Sequence, residues 1–316
     1  MGAALALGER GRGRTAPNPN VGCVIVCDGR VVGRGWTQPG GRPHAEAMAL
    51  AAAGEAARGA TVYTTLEPCA HVSVRGPACS ELLVEAGVAA VVIALGDPDQ
   101  RTDGEGIDRL CEARIEVRTD VQADAARRSM GGFLTRQALG RPLATLKLAT
   151  SLDGCIAMAD GSSRWITGPA ARSHAHLERA RHDAILVGRG TLDADSPMLD
   201  VRLAGLEPRR PRRLVLTRGV APPDWEAVAG PQSIAGLEGV NDLLVEGGAQ
   251  AAAAFLAADL VDRLLLYRAP ILIGDGKPAL GDIGLGQLAA AHGRWRCNDA
   301  RQLGSDRLEV YERMRG

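Results

Sequence analysis

The sequence predicts an α/β protein built as two successive layered domains. Three observations carry this. At 316 residues the chain is long enough for two cores of ordinary size. Short β-rich runs alternate with helical stretches in both halves, the pattern of layered α/β structure rather than of a sandwich or a bundle. Between the halves, Gly140-Arg141-Pro142 closes a helical segment and the alternation starts afresh, which divides the chain into residues 1–140 and 141–316.

In the first half, Val21 to Cys27 and Arg30 to Trp36 are β-rich runs joined by Asp28-Gly29, a two-residue hairpin signal. A helical pattern runs from Ala45 to Ala57 and is closed by Gly59. It is followed by a strand (Ala60 to Leu66), a helix (Cys79 to Ala86, stopped by Gly87) and a strand (Ala89 to Leu95). After a Gly- and Asp-rich loop at Gly96 to Gly106 come another helix, a strand at Ile115 to Arg118 and a helical segment over 122–139. In the second half, strands are expected at Leu143 to Ala149, Ala184 to Val187, Arg213 to Leu216, Asp242 to Val245 and Arg263 to Leu272. A helix is expected around Ala170 to Arg181, and Trp295 to Leu303 with Arg307 to Met314 read as an antiparallel hairpin, making the sheet mixed.

With 37 basic and 37 acidic residues the formal net charge is zero, so nucleic acid and anionic membranes meet no general attraction; neither is expected as a partner. Of the basic residues only Lys147 and Lys277 are lysine and 35 are arginine. A lysine retained in such a chain marks a place where a compact ammonium does what a guanidinium cannot. Seven cysteines at irregular spacings make no disulfide framework and point to a reducing compartment. Met1 to Ala6 lacks the basic and long apolar regions of a secretory signal, and no stretch reaches the ~18 apolar residues of a membrane span, so a cytoplasmic protein is expected.

The strongest chemical signal is Pro43-His44-Ala45-Glu46 opening a helix, with Pro68-Cys69 just after a strand and Cys79 ten positions further on. One imidazole and two thiolates leave a fourth position on zinc for water, the arrangement of a catalytic site. Glu46, two residues after the histidine, can face that water without binding the metal, take its proton and pass it to a departing amine. His-x-Glu by itself carries almost no information, and cysteines ten apart are individually more often core thiols; the ordered set is what points to a metal. The alternative is a structural zinc closed by His71. Cys23 and Cys27 read as core or surface residues.

Pro17-Asn18-Pro19-Asn20-Val21-Gly22-Cys23-Val24-Ile25-Val26, the His44 motif and Thr65-Leu66-Glu67-Pro68-Cys69-Ala70-His71 resemble the bifunctional riboflavin-biosynthesis deaminase/reductase family; Asp97-Pro98-Asp99 and Gly104-Glu105-Gly106 fit it too. The resemblance implies a cytidine-deaminase-like three-layer domain over 1–140 acting on 2,5-diamino-6-ribosylamino-4(3H)-pyrimidinone 5′-phosphate. It implies His44, Cys69 and Cys79 on zinc, Glu46 as proton shuttle and Asn18 on the substrate. The loop between the two cysteines is one residue longer than the family's, and Arg75 is the candidate there for the substrate phosphate.

In the second half, Lys147-Leu148-Ala149-Thr150-Ser151-Leu152-Asp153-Gly154, Ser163-Arg164-Trp165-Ile166-Thr167-Gly168, Asp183-Ala184-Ile185-Leu186-Val187-Gly188-Arg189-Gly190-Thr191, Asp195-Ser196-Pro197-Met198-Leu199-Asp200-Val201-Arg202 and Leu244-Val245-Glu246-Gly247-Gly248 follow in order. They resemble the same family's reductase domain, a dihydrofolate-reductase-like α/β fold over 141–316 that uses NADPH. By that resemblance Lys147 is catalytic; Ser163, Arg179, Leu199, Arg202 and Glu246 meet the substrate; and Thr150, Trp165, Thr191, Asp195, Gly247 and Gly248 meet NADPH. Glycines after a strand, where a helix can begin, would let free amides cradle a phosphate. The family's usual Asp-Ser after the Arg213 to Leu216 strand is Thr217-Arg218 here. Only residues 217–242 separate that strand from the next, too few for a full parallel crossover, so one βα unit is expected to be missing. Assembly as a homodimer or homotetramer is a further expectation. Three rivals stand beside this reading: a nucleic-acid or nucleoside deaminase, disfavoured by the lack of a basic stripe or aromatic platform; a deaminase whose second half binds ligand without efficient turnover; and a binding module, which metal content and ammonia release would separate.

Overall fold

In the computed structural model, which describes residues 1–71 and 76–315, the hairpin signal at Asp28-Gly29 resolves into a tight turn with positive φ at both residues, 48° and 75°. That backbone matches the right-handed twist of the strands it joins. These are β1 (Gly22–Cys27) and β2 (Arg30–Trp36). The chain divides into two units, Met1–Gly140 and Arg141–Gly316.

The first unit begins with α1 (Gly2–Gly8), which lies on β1 and β2. After the hairpin come α2 (Ala45–Ala53), β3 (Thr61–Thr64), α3 (Cys79–Glu85), β4 (Ala90–Ile93), α4 (Glu105–Glu112), β5 (Glu116–Arg118), α5 (Ala123–Ser129) and α6 (Gly131–Leu139). The sheet order is β2-β1-β3-β4-β5, antiparallel through β3 and parallel from β3 to β5. Ile25, Val62, Leu83, Val91, Ile93, Leu110 and Met130 fill the core. Gly35 lets the start of α2 lie on β2: a Cβ there would come within 2.0 Å of the Ala45 carbonyl oxygen. Helix α2 is shorter than its apolar pattern. Gly54, at φ 52°, ends it, and Gly54–Ala57 continue as a single 3-10 turn.

The second unit runs β6 (Leu143–Thr150), β7 (Cys155–Met158), α7 (Pro169–Ala180), β8 (Ala184–Gly188), α8 (Arg189–Asp195), β9 (Arg212–Leu216), β10 (Glu226–Val228), β11 (Asp242–Val245), α9 (Ala249–Ala257), β12 (Arg263–Arg268), β13 (Gly276–Pro278), β14 (Trp295–Leu303) and β15 (Asp306–Arg313). Eight strands form one mixed sheet, β10-β9-β8-β11-β6-β12-β15-β14, parallel from β10 through β12 and antiparallel where β15 pairs with β12 and with β14. Leu146, Leu186, Leu243 and Phe255 pack one side of the central strands, and Ile185, Val187, Leu192 and Val215 the other. Cover on both sides is why these strands read as near-continuous apolar runs.

Two expectations need correction. The strand at Arg263 ends at Arg268 rather than Leu272; Pro270 has no amide to donate beyond it. The unit expected to be missing is present in reduced form. Residues 217–225 lead directly into β10, parallel to β9, and a 3-10 helix at Pro231–Gly236 follows. Because β9 and β10 are neighbours and β10 is an edge strand of three residues, the return path is one short strand long and needs no helix.

Candidate metal centre and nucleotide cleft

Strand β3 and helices α2 and α3 bring the predicted ligands together. His44 caps the start of α2, Cys69 follows β3, and Cys79 opens α3. The His44 Nδ1 atom lies 3.3 Å from Cys79 Sγ and 3.5 Å from Cys69 Sγ, and the three donor atoms fall within 4.8 Å of one another. A tetrahedral zinc, with Zn–N about 2.0–2.1 Å and Zn–S about 2.3 Å, sets nitrogen and sulfur about 3.5 Å apart. The donor set therefore fits the ion in chemistry and in spacing. Among the described residues the group contains no fourth protein donor; His71 lines the adjoining cavity, so the structural-zinc alternative has nothing to close it.

The surroundings tune these groups. The Cys79 amide, at the start of α3, donates to Cys69 Sγ at 3.3 Å. A hydrogen bond from the Cys79 thiol, opposed by burial, holds Cys69 down at about 4, while the same bond and burial push Cys79 well up. A zinc ion would take both as thiolates. Glu46 is 3% exposed in the first turn of α2, its Oε1 accepting from the Thr64 hydroxyl at 2.7 Å. Burial raises its carboxyl above the ordinary range, against the pull of His44 and Thr64. The Asn18 amide lies 3.4 Å from His44 Nε2. Asn18, His44, Glu46, Cys69, Asp97 and Arg101 are among the residues lining one cavity. Arg75 lies outside the described residues.

Sequence reading missed two braces. Glu67, 3% exposed, accepts four backbone amides: Asp97 and Gly104 on Oε2 at 3.2 Å, Gly106 at 3.0 Å and Ile107 at 3.2 Å on Oε1. It ties the cavity-lining loop to the segment that carries Cys69. Gly106 permits this, since a Cβ would come within 2.1 Å of the Pro68 carbonyl oxygen. The available signal was a carboxylate between Leu66 and Pro68 beside a buried strand, too polar to be buried without amides to meet it. Arg109 on α4 donates to the Ala70 carbonyl and to Ser80 Oγ, at 3.0 Å each, tying the residue after Cys69 to the first turn of α3. Asp97 in the same loop is pushed up to about 6 by burial, despite the amide of Asp99.

In the second unit the parallel strands end on one side, and the residues there converge. Arg179 on α7 grips Glu246 with two parallel bonds of 2.8 and 2.9 Å, and Lys147 Nζ on β6 lies 3.9 Å from the same carboxylate. Burial opposes ionisation of Glu246, but Arg179 and then Lys147 outweigh it and hold the carboxyl at about 2. Arg179 also donates to the Asp200 carbonyl, and Arg202 pairs with the Asp200 carboxylate. Three cations thus face two carboxylates, which leaves net positive charge for an anion. Leu199 differs from expectation: the residue is 4% exposed and packs in the core, its backbone at φ 49°. Sequence reading also missed His176, whose ring nitrogen lies 3.0 Å from the Asp200 carbonyl oxygen; its three-residue offset from Arg179 on one helix was the signal.

The candidate nucleotide residues sit around the start of α9. The Gly248 amide donates to Thr191 Oγ1 at 3.0 Å. A Cβ at Gly247 would come within 3.0 Å of Ala251 Cβ and 3.2 Å of the Gly188 nitrogen, so glycine keeps β8, β11 and α9 close. The next amides of α9 have no partner within the helix, which suits an anionic group. This cradle fits a dinucleotide phosphate. Thr150 is buried at the end of β6, Ser163 is half-buried in its loop, and Asp195 is exposed at the end of α8. Trp165 stands 65% exposed, with the Arg172 guanidinium 4.9 Å from its ring centre.

Comparison with known proteins agrees with this geometry. A family model described as the RibD C-terminal domain matches residues 142–308, and one described as the cytidine and deoxycytidylate deaminase zinc-binding region matches residues 1–95. The riboflavin biosynthesis protein RibD of Mycobacterium tuberculosis is 41% identical over 98% of this chain and 95% of its own. The chain belongs to the RibD family. Solved RibD-family structures superpose closely. Acinetobacter baumannii RibD has a TM-score of 0.87 at 36% identity, covering 100% of this chain and 98% of that one. The Thermotoga maritima diaminohydroxyphosphoribosylaminopyrimidine deaminase/5-amino-6-(5-phosphoribosylamino)uracil reductase has a TM-score of 0.90 at 30% identity, covering 99% and 97%. Like other RibD proteins, this chain combines a zinc deaminase with an NADPH-dependent reductase of riboflavin biosynthesis. Among the described residues no helix is long and apolar enough to cross a membrane.

Proposed function

We propose that residues 1–140 deaminate 2,5-diamino-6-ribosylamino-4(3H)-pyrimidinone 5′-phosphate, and that residues 141–316 then reduce the ribosyl group of the product to ribityl. The observation that carries the first step is the convergence of His44, Cys69 and Cys79 with a buried Glu46 beside them. Zinc, when bound, supplies the Lewis acidity that makes water nucleophilic at neutral pH. Glu46 accepts a proton from the attacking water at a carboxylate oxygen and returns it to the departing amine, which leaves as ammonia. A carboxyl raised by burial suits both halves of that transfer. Asn18 steadies the His44 ring, and the Glu67 brace keeps the cavity wall in place around the pyrimidine.

For the second step, NADPH when bound supplies the hydride. The net positive cluster of Lys147, Arg179 and Arg202 against Glu246 and Asp200 favours a phosphorylated substrate. Lys147 would give its proton to O4′ as the C1′–O4′ bond breaks on reduction of C1′, leaving the open ribityl chain. Glu246 orients the ammonium while Arg179 holds Glu246 still. Seven unpaired cysteines accord with a cytoplasmic setting. The test supplies the diamino substrate to the purified chain and follows ammonia release and NADPH oxidation together. Ammonia without NADPH consumption would restrict the chain to the first step, and neither would overturn the proposal.

A further inference from the structure

The Lys147 ammonium has a second neighbour besides Glu246: the ring of Tyr267, whose centre lies 5.9 Å from Nζ. We propose that Tyr267, anchored by His174, is a positioning residue: its ring face holds the Lys147 ammonium and aims it at the ring oxygen of the sugar. The proposal rests on the reading that Lys147 delivers the proton in reduction.

The register of the sheet brings the two side chains together. Strand β6 lies between β11 and β12. On one side Val245 pairs with Leu146, so Glu246 follows level with Lys147. On the other, Leu265 pairs with Lys147 and Tyr267 with Ala149. Side chains alternate along a strand, so Lys147, Ala149, Leu265 and Tyr267 share one face of the sheet. The lysine is thus flanked by a carboxylate from β11 and an aromatic ring from β12. Its side chain is only 21% exposed. The attraction between an ammonium and a ring face is strongest where water is largely excluded.

Helix α7 holds both flanks. Arg179 grips Glu246, and on the same helix His174 Nδ1 lies 2.8 Å from the Tyr267 hydroxyl oxygen. Ala171 and Ala175, both small, pack where the helix closes on Tyr267, which is 1% exposed. Burial raises the phenol above its ordinary range and lowers the His174 imidazole below its own, so the pair adds no charge near pH 7. Lysine carries its charge on a flexible four-carbon stem. Glu246 by itself would draw the ammonium toward β11. The ring face on the β12 side opposes that pull and keeps the donor over the strand ends. A tyrosine at 267 supplies both the ring face and a hydroxyl by which α7 can fix it.

Fluorination of the ring tests this with little change of shape, because fluorine drains the negative charge from the ring face that attracts a cation. Tyr267→Phe, and Tyr267→Phe carrying one or three ring fluorines, are compared with wild type in the full chain, supplied with the deaminated intermediate. Tyr267→Phe keeps the ring and should stay within about threefold of wild type. The kcat for reduction should then fall stepwise with fluorine number, by about tenfold at three, with KM for the intermediate and NADPH binding unchanged. A kcat that ignores fluorination overturns the positioning role and leaves the proton-donor reading of Lys147 intact. Normal reduction by Lys147→Arg overturns both. A second readout needs no turnover. With carbon-13 label in lysine only Lys147 and Lys277 report. The Lys147 ε-methylene signal, assigned by its loss in Lys147→Arg, should be displaced upfield of the Lys277 signal by the ring current of Tyr267. Coincident signals would put the ammonium away from the ring and overturn the proposal.

Discussion

The two units build their sites in opposite ways. In the first, the donors that converge come from 36 residues of sequence, His44 to Cys79: His44 and Cys79 stand at helix starts and Cys69 in the loop after β3. In the second, Lys147, Arg179 and Glu246 are spread over 100 residues, on a strand, a helix and a strand end, and meet only because the sheet puts β6 beside β11. A metal demands few donor types at set distances, so its site leaves a compact signature. A charge cluster needs only balance, which many arrangements supply. The first site should therefore fail all at once when one donor is lost, and the second should degrade by degrees.

The largest expected break is Cys79→Ser. It should remove zinc almost completely and abolish ammonia release, while reduction of supplied deaminated intermediate continues; metal analysis showing a full zinc complement would place the ligand elsewhere. Glu46→Gln should keep zinc and lose about 10²–10⁴-fold in deamination, the usual range for a positioned acid–base group. Ammonia released at the wild-type rate would remove Glu46 from the chemistry. In the second unit Lys147→Arg should lower reduction by about 10²-fold with zinc and ammonia release untouched, because guanidinium is too basic to give up the proton. Normal reduction by that variant would make the lysine structural.

Two smaller effects sharpen the contrast. The Glu246 carboxyl, about 2 when folded against an ordinary 4.5, contributes stability that is complete above pH 4.5 and is lost as pH falls toward 2. That amounts to about 3 kcal/mol. Three of the four tryptophans lie in residues 141–316, so denaturation followed by their fluorescence reads this unit. Glu246→Gln should flatten the acid limb, and an unchanged slope would mean other carboxylates set it. Glu67→Gln should cost the first unit about 2 kcal/mol, since a carboxamide cannot accept four amides with both ends. Hydrogen exchange at Asp97, Gly104, Gly106 and Ile107 should quicken; unchanged protection would show that the loop holds without the carboxylate.

Much was determined by sequence alone. The hairpin at Asp28-Gly29, the parallel strands from Leu143, Ala184 and Asp242, and the zinc donors with Glu46 all follow from local chemistry: turn conformation, apolar runs and ligand type. The family resemblance added Arg179 and Glu246 but not their mutual grip. What only the tertiary structure decided is how distant groups share one partner. Glu67 answers to amides some 30 to 40 residues away, Leu199 turns its side chain into the core, and β10 survives on a path too short for a helix. Periodicity records which face of an element is apolar, whereas a buried carboxylate, a positive φ or an edge strand is permitted only by whatever neighbour the fold brings alongside.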